Sequence, residues 1–367
     1  MAGTWARTAA RERVAAISAA AHDSRELRRQ VLPVLGEVLG FEGYVWLLTD
    51  PVTTVGAAPL AHVPGLADMT GLPAIIRAKY ATTANRWTTL GPPGSPAGLW
   101  SAVASGQARS PAWREVLRRH GTGDVASVVF TDQFGCWGFL DLWRAAGRGP
   151  FAAADAEFLA GLAAPLTAGL RRCQALTFTS VAAAHRGDTG PVALTLDDDL
   201  RILFRTAASR AWLEVLLPPQ PDERAVPASV YNVAAQLLAA EAGIDDHPAS
   251  ARTHLAGGFW LTLRAARLAA ETPGPPGSPA MIVVTIEEAS AAERLEIFGR
   301  AWGLTARERE LLGVLAAGGD TRAIARQLGL SEHTVQDHLK AIFSKTGARD
   351  RVTVLSRALG TRGRAGG

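Results

Sequence analysis

Residues 320–347 read DTRAIARQLGLSEHTVQDHLKAIFSKTG, and the glycine at position 329 divides them. Asp320 stands just ahead of Ile324, Ala325 and Leu328, a side-chain cap before an apolar stripe, and Gly329 supplies the stop. Ser331 opens a second segment of the same kind, ending at Gly347. Two capped helices joined by a tight glycine turn are the geometry of a helix-turn-helix. At about 100° per residue, Val335, Leu339 and Ile342 fall on one side of the second helix. His333, Gln336, Asp337, Lys340 and Ser344 fall on the other. A lone amphipathic helix would show the same polar face to solvent, so the surrounding chain must decide between a DNA reader and ordinary surface.

The segment upstream, LTARERELLGVLAAGG from Leu304, carries Thr305 and Glu308 at capping-box spacing, then Leu311, Leu312 and Leu315 as a stripe and Gly318 as a left-handed stop. Downstream, DRVTVLSRALG shows one apolar stripe at Val352, Leu355 and Leu359 and a second at Val354 and Ala358. One can pack inward while the other meets a second subunit. Charge points the same way. From Ala301 onward there are 11 Lys and Arg against 6 Asp and Glu, so this part carries about +5 of a net +4 and the rest is close to −1. A basic terminal module on a nearly neutral body is the footprint of a domain facing phosphates.

These residues resemble the bacterial LuxR/NarL/GerE-type DNA-binding domain over roughly residues 300 to 362. Leu304, Thr305, Arg307, Glu308, Glu310, Leu315, Gly318, Ile324, Ala325, Leu328, Ser331, Thr334, Val335, His338, Lys345 and Gly347 stand where that pattern expects them. Ala323, Thr321 and Gln336 depart from it, where Glu, Asn and Lys are usual. The resemblance implies that the helix after Ser331 enters the major groove of double-stranded DNA, with Gln336, Asp337, Lys340 and His333 nearest the bases. Side-chain chemistry agrees: Gln bridges adenine N6 and N7, Asp accepts from cytosine N4, and Lys reaches guanine acceptors or phosphate. Thr334, Lys345, Arg322 and Ser331 are the phosphate candidates. Val354, Leu355 and Ala358 are the candidates for a homodimer contact.

The 367-residue chain as a whole is 48% hydrophobic, ample for buried cores in the part that precedes this domain. DSRELRRQVLPVLGEVLG has helical period with a cap at Asp23, and Pro33 within it predicts a kink or two shorter helices. YVWLLTD reads as a strand, and SVVFTDQFGCWGFLDLWR as a hairpin turning between Asp132 and Gly135, with Trp137, Phe139 and Trp143 on one face. FAAADAEFLAGLAAPLTAGLRRC is a packing helix. This order resembles a GAF domain. After it, GPVALTLDDDLRILFRTAASRAWLEVL gives strand, acidic turn, strand and helix, and RTHLAGGFWLTLRAARL and MIVVTIEEA give closing strands around the loop ETPGPPGSP, which looks like a PAS domain.

The expected fold class is therefore multidomain α+β, with GAF-like and PAS-like sensor domains followed by an all-α four-helix LuxR-type helix-turn-helix domain. The expected boundaries are an N-terminal helix over 1–19, the GAF-like domain over 20–175, the PAS-like domain over 176–292, a linker over 293–300, the DNA-binding domain over 301–362 and a disordered tail over 363–367. Cys136 and Cys173 match neither a disulfide framework nor a CxxC metal spacing, and no run of about 18 apolar residues spans a bilayer. A cytoplasmic protein without membrane contact, metal or cofactor is expected. No GxxxxGK[ST], GxSxG, HExxH or GxGxxG appears, so an enzyme is not expected. The function expected is a DNA-binding transcriptional regulator acting as a dimer on a specific operator, with a small-molecule effector in its sensor domains. The alternatives are a signalling protein whose GAF-like and PAS-like body is a ligand-free interaction scaffold and, less favoured by the missing motifs, a signalling enzyme.

Overall fold

The computed structural model describes residues 2–66, 71–103, 110–179, 192–209, 228–255, 259–268 and 281–360. It divides into two compact units. The first comprises Met1–Leu170, Arg186–Thr253 and Leu261–Glu287, and the second Arg171–His185, His254–Trp260 and Glu288–Gly367.

In the first unit, helices α1 (Ala2–Ala20) and α2 (Ser24–Leu39) precede strands β1 (Gly43–Thr49) and β2 (Gly56–His62). Helix α3 (Leu72–Tyr80), strand β3 (Ala97–Leu99) and helix α4 (Pro111–Arg119) follow, occupying a stretch to which sequence periodicity assigned nothing. Strands β4 (Thr122–Asp132) and β5 (Gly135–Ala145) are the expected hairpin, closing with Asp132 opposite Gly135. The sheet order is β2-β1-β5-β4-β3, antiparallel throughout. Because side chains alternate along a strand, Trp137, Phe139, Asp141 and Trp143 share one face, and paired Leu47, Val45, Val129 and Val125 join them. On the other face Trp46 lies opposite Leu140 and meets Phe130 at 5.4 Å between ring centroids.

Helix α2 begins at its Asp23 cap, which accepts from the amides of Arg25 and Glu26, and it buries Leu27, Val31, Val34 and Leu35. It runs as one helix through Pro33 and not as two shorter ones. Buried residues on both sides of the proline hold the turns in register, and packing outweighs the hydrogen bond that Pro33 cannot donate. Arg28, almost wholly buried, donates from α2 to the carbonyls of Trp46 (3.0 Å) and Ala58 (2.9 Å). Helix α5 (Ala153–Leu176) buries Phe158, Leu159, Leu162, Leu166 and Leu170 as its periodicity requires, and Arg7 of α1 pairs with Asp155 at its start (2.5 Å).

A second five-stranded sheet has the order β7-β6-β10-β9-β8, from strands β6 (Val192–Leu196), β7 (Ile202–Arg205), β8 (Ser250–Leu255), β9 (Phe259–Arg267) and β10 (Ile282–Glu288). Val192, Leu194 and Leu196 lie opposite Ile286, Val284 and Ile282, and all six are buried. The helix expected after β7 falls largely on residues outside those described, as do the loop ETPGPPGSP and the tail 363–367. Helix α6 (Ala228–Glu241), not anticipated, packs against α3 and β2. Asn232 on α6 donates to the Gly56 carbonyl (3.0 Å), Arg86 pairs with Asp245 (2.8 Å), and Arg252 pairs with Asp50 (2.6 Å). These contacts cross the expected division at residue 175. Cys136 and Cys173 are buried and are not joined in a disulfide. No helix among the described residues is long and apolar enough to cross a membrane.

Candidate nucleic-acid interface

The second unit holds five helices among the described residues from position 288 onward: α7 (Ala291–Ala301), α8 (Ala306–Ala316), α9 (Thr321–Leu328), α10 (Glu332–Thr346) and α11 (Arg351–Leu359). Each start has a side chain satisfying an amide that the helix itself leaves free. Ser290 with Glu293, and Thr305 with Glu308, form full capping boxes, and Asp320, Ser331 and Asp350 cap the other three. Residues 293–300, expected as a linker, lie inside α7, where Ile297 and Phe298 are fully buried. Arg294 of α7 donates to the carbonyls of Ala358 (3.3 Å) and Arg357 (3.4 Å), placing a cation at the negative end of the α11 dipole. Burial pushes its guanidinium pKa down. The segment is packed helix because its charged residue has carbonyls to neutralise and its apolar residues have a core to join.

Between α9 and α10 lie Gly329, Leu330 and Ser331. Gly329 has φ +65°, a left-handed conformation that a side chain resists. The Leu330 amide donates to Ala325 (2.8 Å) and the Gly329 amide to Arg326 (3.4 Å), the double closure of a Schellman turn. The core behind this turn is Leu311, Leu312, Leu315, Ile324, Val335, Leu339 and Ile342, each at most a few per cent exposed. The predicted faces of α10 are thus the observed ones: its apolar side is buried, while His333, Gln336, Asp337, Lys340 and Ser344 are exposed.

On that exposed face Asp337 pairs with Lys340 (3.3 Å) and His333 (3.5 Å). Exposed pairs of this kind contribute little, so these side chains are free to exchange partners. Gln336 donates to the hydroxyl of Thr321 on α9 (3.3 Å), and Arg351 of α11 donates to the same oxygen. Thr321 and Arg351 therefore border Gln336, a juxtaposition with no local sequence signal because three helices contribute to it. Ser331 and Thr334 meet at 2.8 Å at the N-terminus of α10, where free amides and the helix dipole favour an anion. Arg322 is open to solvent, 3.6 Å from Glu332.

Two groups of predicted residues are placed differently. Lys345 is turned to Glu308, with its ammonium 2.6 and 2.9 Å from the two carboxylate oxygens. Burial would raise the Glu308 pKa, but Lys345 and the Thr305 amide hold it below the ordinary carboxylate range. Lys345 thus ties the end of α10 to the start of α8. Val354 and Ala358, expected at a subunit contact, are fully buried and pack inward. The face of α11 left open carries Val352, 67% exposed, with Leu355 and Leu359 partly exposed.

Among the described residues one group, Asp245, Asp246 and His247 in the first unit, brings metal-ligand atoms within 4.8 Å. Both Asp245 oxygens are already engaged, one by Arg86 (2.8 Å) and Thr88 (3.0 Å), the other by His247 (2.6 Å). That is an ion-pair network, and it orders the turn at residue 245.

Residues 303–358 match the family described as bacterial regulatory proteins, luxR family. Over 54 residues, 15% of this chain and 24% of the relative, the sequence is 46% identical to the monoamine regulon transcriptional regulator of Klebsiella aerogenes. Over 53 residues, 14% of this chain and 25% of the relative, it is 45% identical to the probable transcriptional regulatory protein SgaR of Hyphomicrobium methylovorum. The match spans about a quarter of the length of these curated relatives. Among solved structures, a Vibrio cholerae VqmA dimer without target DNA aligns with 46% of this chain and 82% of its own at 19% identity and a TM-score of 0.17. SdiA in complex with octanoyl-rac-glycerol aligns with 98% of this chain and 94% of its own at 15% identity and a TM-score of 0.25. Residues 303–358, which hold α8 to α10 and most of α11, thus match a luxR-family helix-turn-helix domain, and the chain is similar through it to transcriptional regulators.

Proposed function

We propose that this protein is a transcriptional regulator that binds a specific operator in double-stranded DNA through α10, as a homodimer, under the control of its N-terminal region. The observation that carries the reading is the exposed polar face of α10, with His333, Gln336, Asp337 and Lys340 set on a fully buried apolar back. A helix held this firmly can present side chains to base edges without the ordering cost that a mobile segment bears. In this reading Gln336, Asp337, Lys340 and His333 approach the bases. Ser331, Thr334 and Arg322 hold phosphate at the N-terminal end, and the exposed Lys345 ties the end of α10 to Glu308. The subunit contact falls to Val352, Leu355 and Leu359 of α11, since Val354 and Ala358 belong to the interior. The N-terminal sheets serve as GAF-like and PAS-like sensor domains, and catalysis has no part in the function. Competition binding of the full chain between a selected operator and random duplex tests the reading. A specific protein discriminates by about a thousandfold or more, and equal affinity for both would refute it.

A further inference from the structure

Between the first sheet, α3, α4 and α6 lies a cavity of about 560 Å³, all within the first unit. That volume falls in the ordinary range for small-molecule sites. Its buried walls are apolar and aromatic, with Trp113, Trp143, Phe139 and Tyr80 among them, and they carry Lys79 and Asp141, while Arg25 and His62 line it from exposed positions. Lys79 Nζ is 2.8 Å from Asp141 Oδ2, and Asp141 Oδ1 accepts from the Ser127 hydroxyl (2.6 Å). Asp141 is satisfied, whereas Lys79 has three donors and, among the described residues, only this one polar partner. Its ammonium otherwise faces rings, 5.4 Å from the Trp113 centroid and 5.7 Å from Phe139. Stability does not call for such a pair, because replacing buried ions with apolar groups is often neutral or favourable.

We infer that this cavity is a binding site for a planar, uncharged aromatic molecule bearing a carbonyl acceptor, and that Lys79, held by Asp141, donates to that carbonyl. The pair is neutral overall. A ligand charge set beside this buried pair, away from the exposed Arg25 and His62, would be left uncompensated among apolar walls, whereas a carbonyl takes up a spare donor at no such cost. Ring faces of Trp113 and Phe139 supply flat contact area, which favours an aromatic body over a flexible one. Because Ala228 and Asn232 of α6 also line the cavity, an occupant touches both the first sheet's layer and the helix that lies in the chain between β7 and β8 of the second sheet. The inference deepens the sensor reading above by giving it a site and a ligand class.

The test is titration of the full chain with 6-propionyl-2-dimethylaminonaphthalene, a neutral aromatic ketone whose emission reports hydrogen bonding at its carbonyl. Saturable one-to-one binding with energy transfer from tryptophan is expected. Ile76→Phe, which fills the cavity, should weaken binding by at least about tenfold, a loss of about 1.4 kcal/mol. Val45→Phe does the same from the opposite wall, so a folding defect in either one, seen by thermal unfolding, leaves the other as the test. The double variant Lys79→Met/Asp141→Leu removes the pair without stranding a charge. It should keep the fold, bind more weakly and show blue-shifted emission. The anion 1-anilinonaphthalene-8-sulfonate should bind at least about tenfold more weakly than the ketone. No saturable binding, filled variants that bind like the wild type, or a double variant with unchanged affinity and emission would each overturn the site. Preference for the anion would overturn the ligand class. Operator affinity of the same samples is a separate readout: its absence with ketone binding intact would remove the regulator reading alone.

Discussion

Gln336 and Asp337 are neighbours on one exposed turn, yet their chemistry predicts opposite effects on binding. Gln336→Ala removes a donor–acceptor pair suited to adenine, so it should cost about 1–3 kcal/mol on the best operator and little on random duplex. Asp337→Ala removes a negative charge from the surface proposed to face phosphates, so random duplex should bind more tightly. Competition titrations of both variants check this, and equal shifts on every sequence would make α10 a positioning surface only. Lys345 behaves differently because its partner is internal. Lys345→Ala should destabilise the fold by about 1–2 kcal/mol by leaving the nearly buried Glu308 carboxylate without its cation, measured by denaturant unfolding, with only a small change in the salt dependence of DNA binding. Glu308 also sets a pH dependence. Its folded pKa is lowered, so its stabilising contribution is complete above the unfolded value and is lost as pH falls below about 4. Glu308→Gln should flatten that part of the stability curve, and an unchanged acid limb would contradict the assignment.

Among the helices, α8 to α10 were legible because each carries its own start and stop: Thr305, Asp320 and Ser331 as caps, Gly318, Gly329 and Gly347 after the ends. Such signals act within one turn, and sequence displays them directly. Helix α6 was hidden for the converse reason. From Ala228 to Gln236 it is buried on every side, Asn232 and Gln236 included, so it has no single apolar stripe for periodicity to find. Helix α7 was hidden because its capping box follows directly on a strand, and its partners lie at α11. The two stripes of α11 could be seen but not ranked, since which one faces inward depends on where α7 packs. The ranking is testable. Val354→Asp puts a charge into a fully buried position and should cost roughly 3 kcal/mol or more, unfolding the C-terminal helices. Val352→Asp and Leu355→Asp should preserve the circular dichroism spectrum and shift sedimentation from dimer to monomer. Retained dimer in both would remove this face from the subunit contact.

Across the whole molecule, what sequence could not display was pairing at long range. The alternation of β4 and β5 gave the hairpin and its Trp137, Phe139, Trp143 face, but Asp141 on that same face was the one residue out of pattern, and its partner Lys79 lies on α3. Asp50 and Arg252 are likewise separated by most of the first unit, and meet through Oδ2 at 2.6 Å and Oδ1 at 2.8 Å. Burial would raise the Asp50 pKa, and the Arg252 guanidinium outweighs it, holding the carboxylate ionised. Arg252→Met strands that charge and should cost about 3–5 kcal/mol, read from thermal unfolding of the full chain, most strongly near neutral pH where Asp50 must stay ionised. The central claim, that α10 reads sequence for a dimeric regulator, is tested most directly by selecting bound duplexes from a fully randomised library with the full-length chain. The account predicts enrichment of an inverted repeat with half-sites about one helical turn apart, with one base position in each half relaxed in Gln336→Ala. Recovery of a pool no different from the input would contradict it.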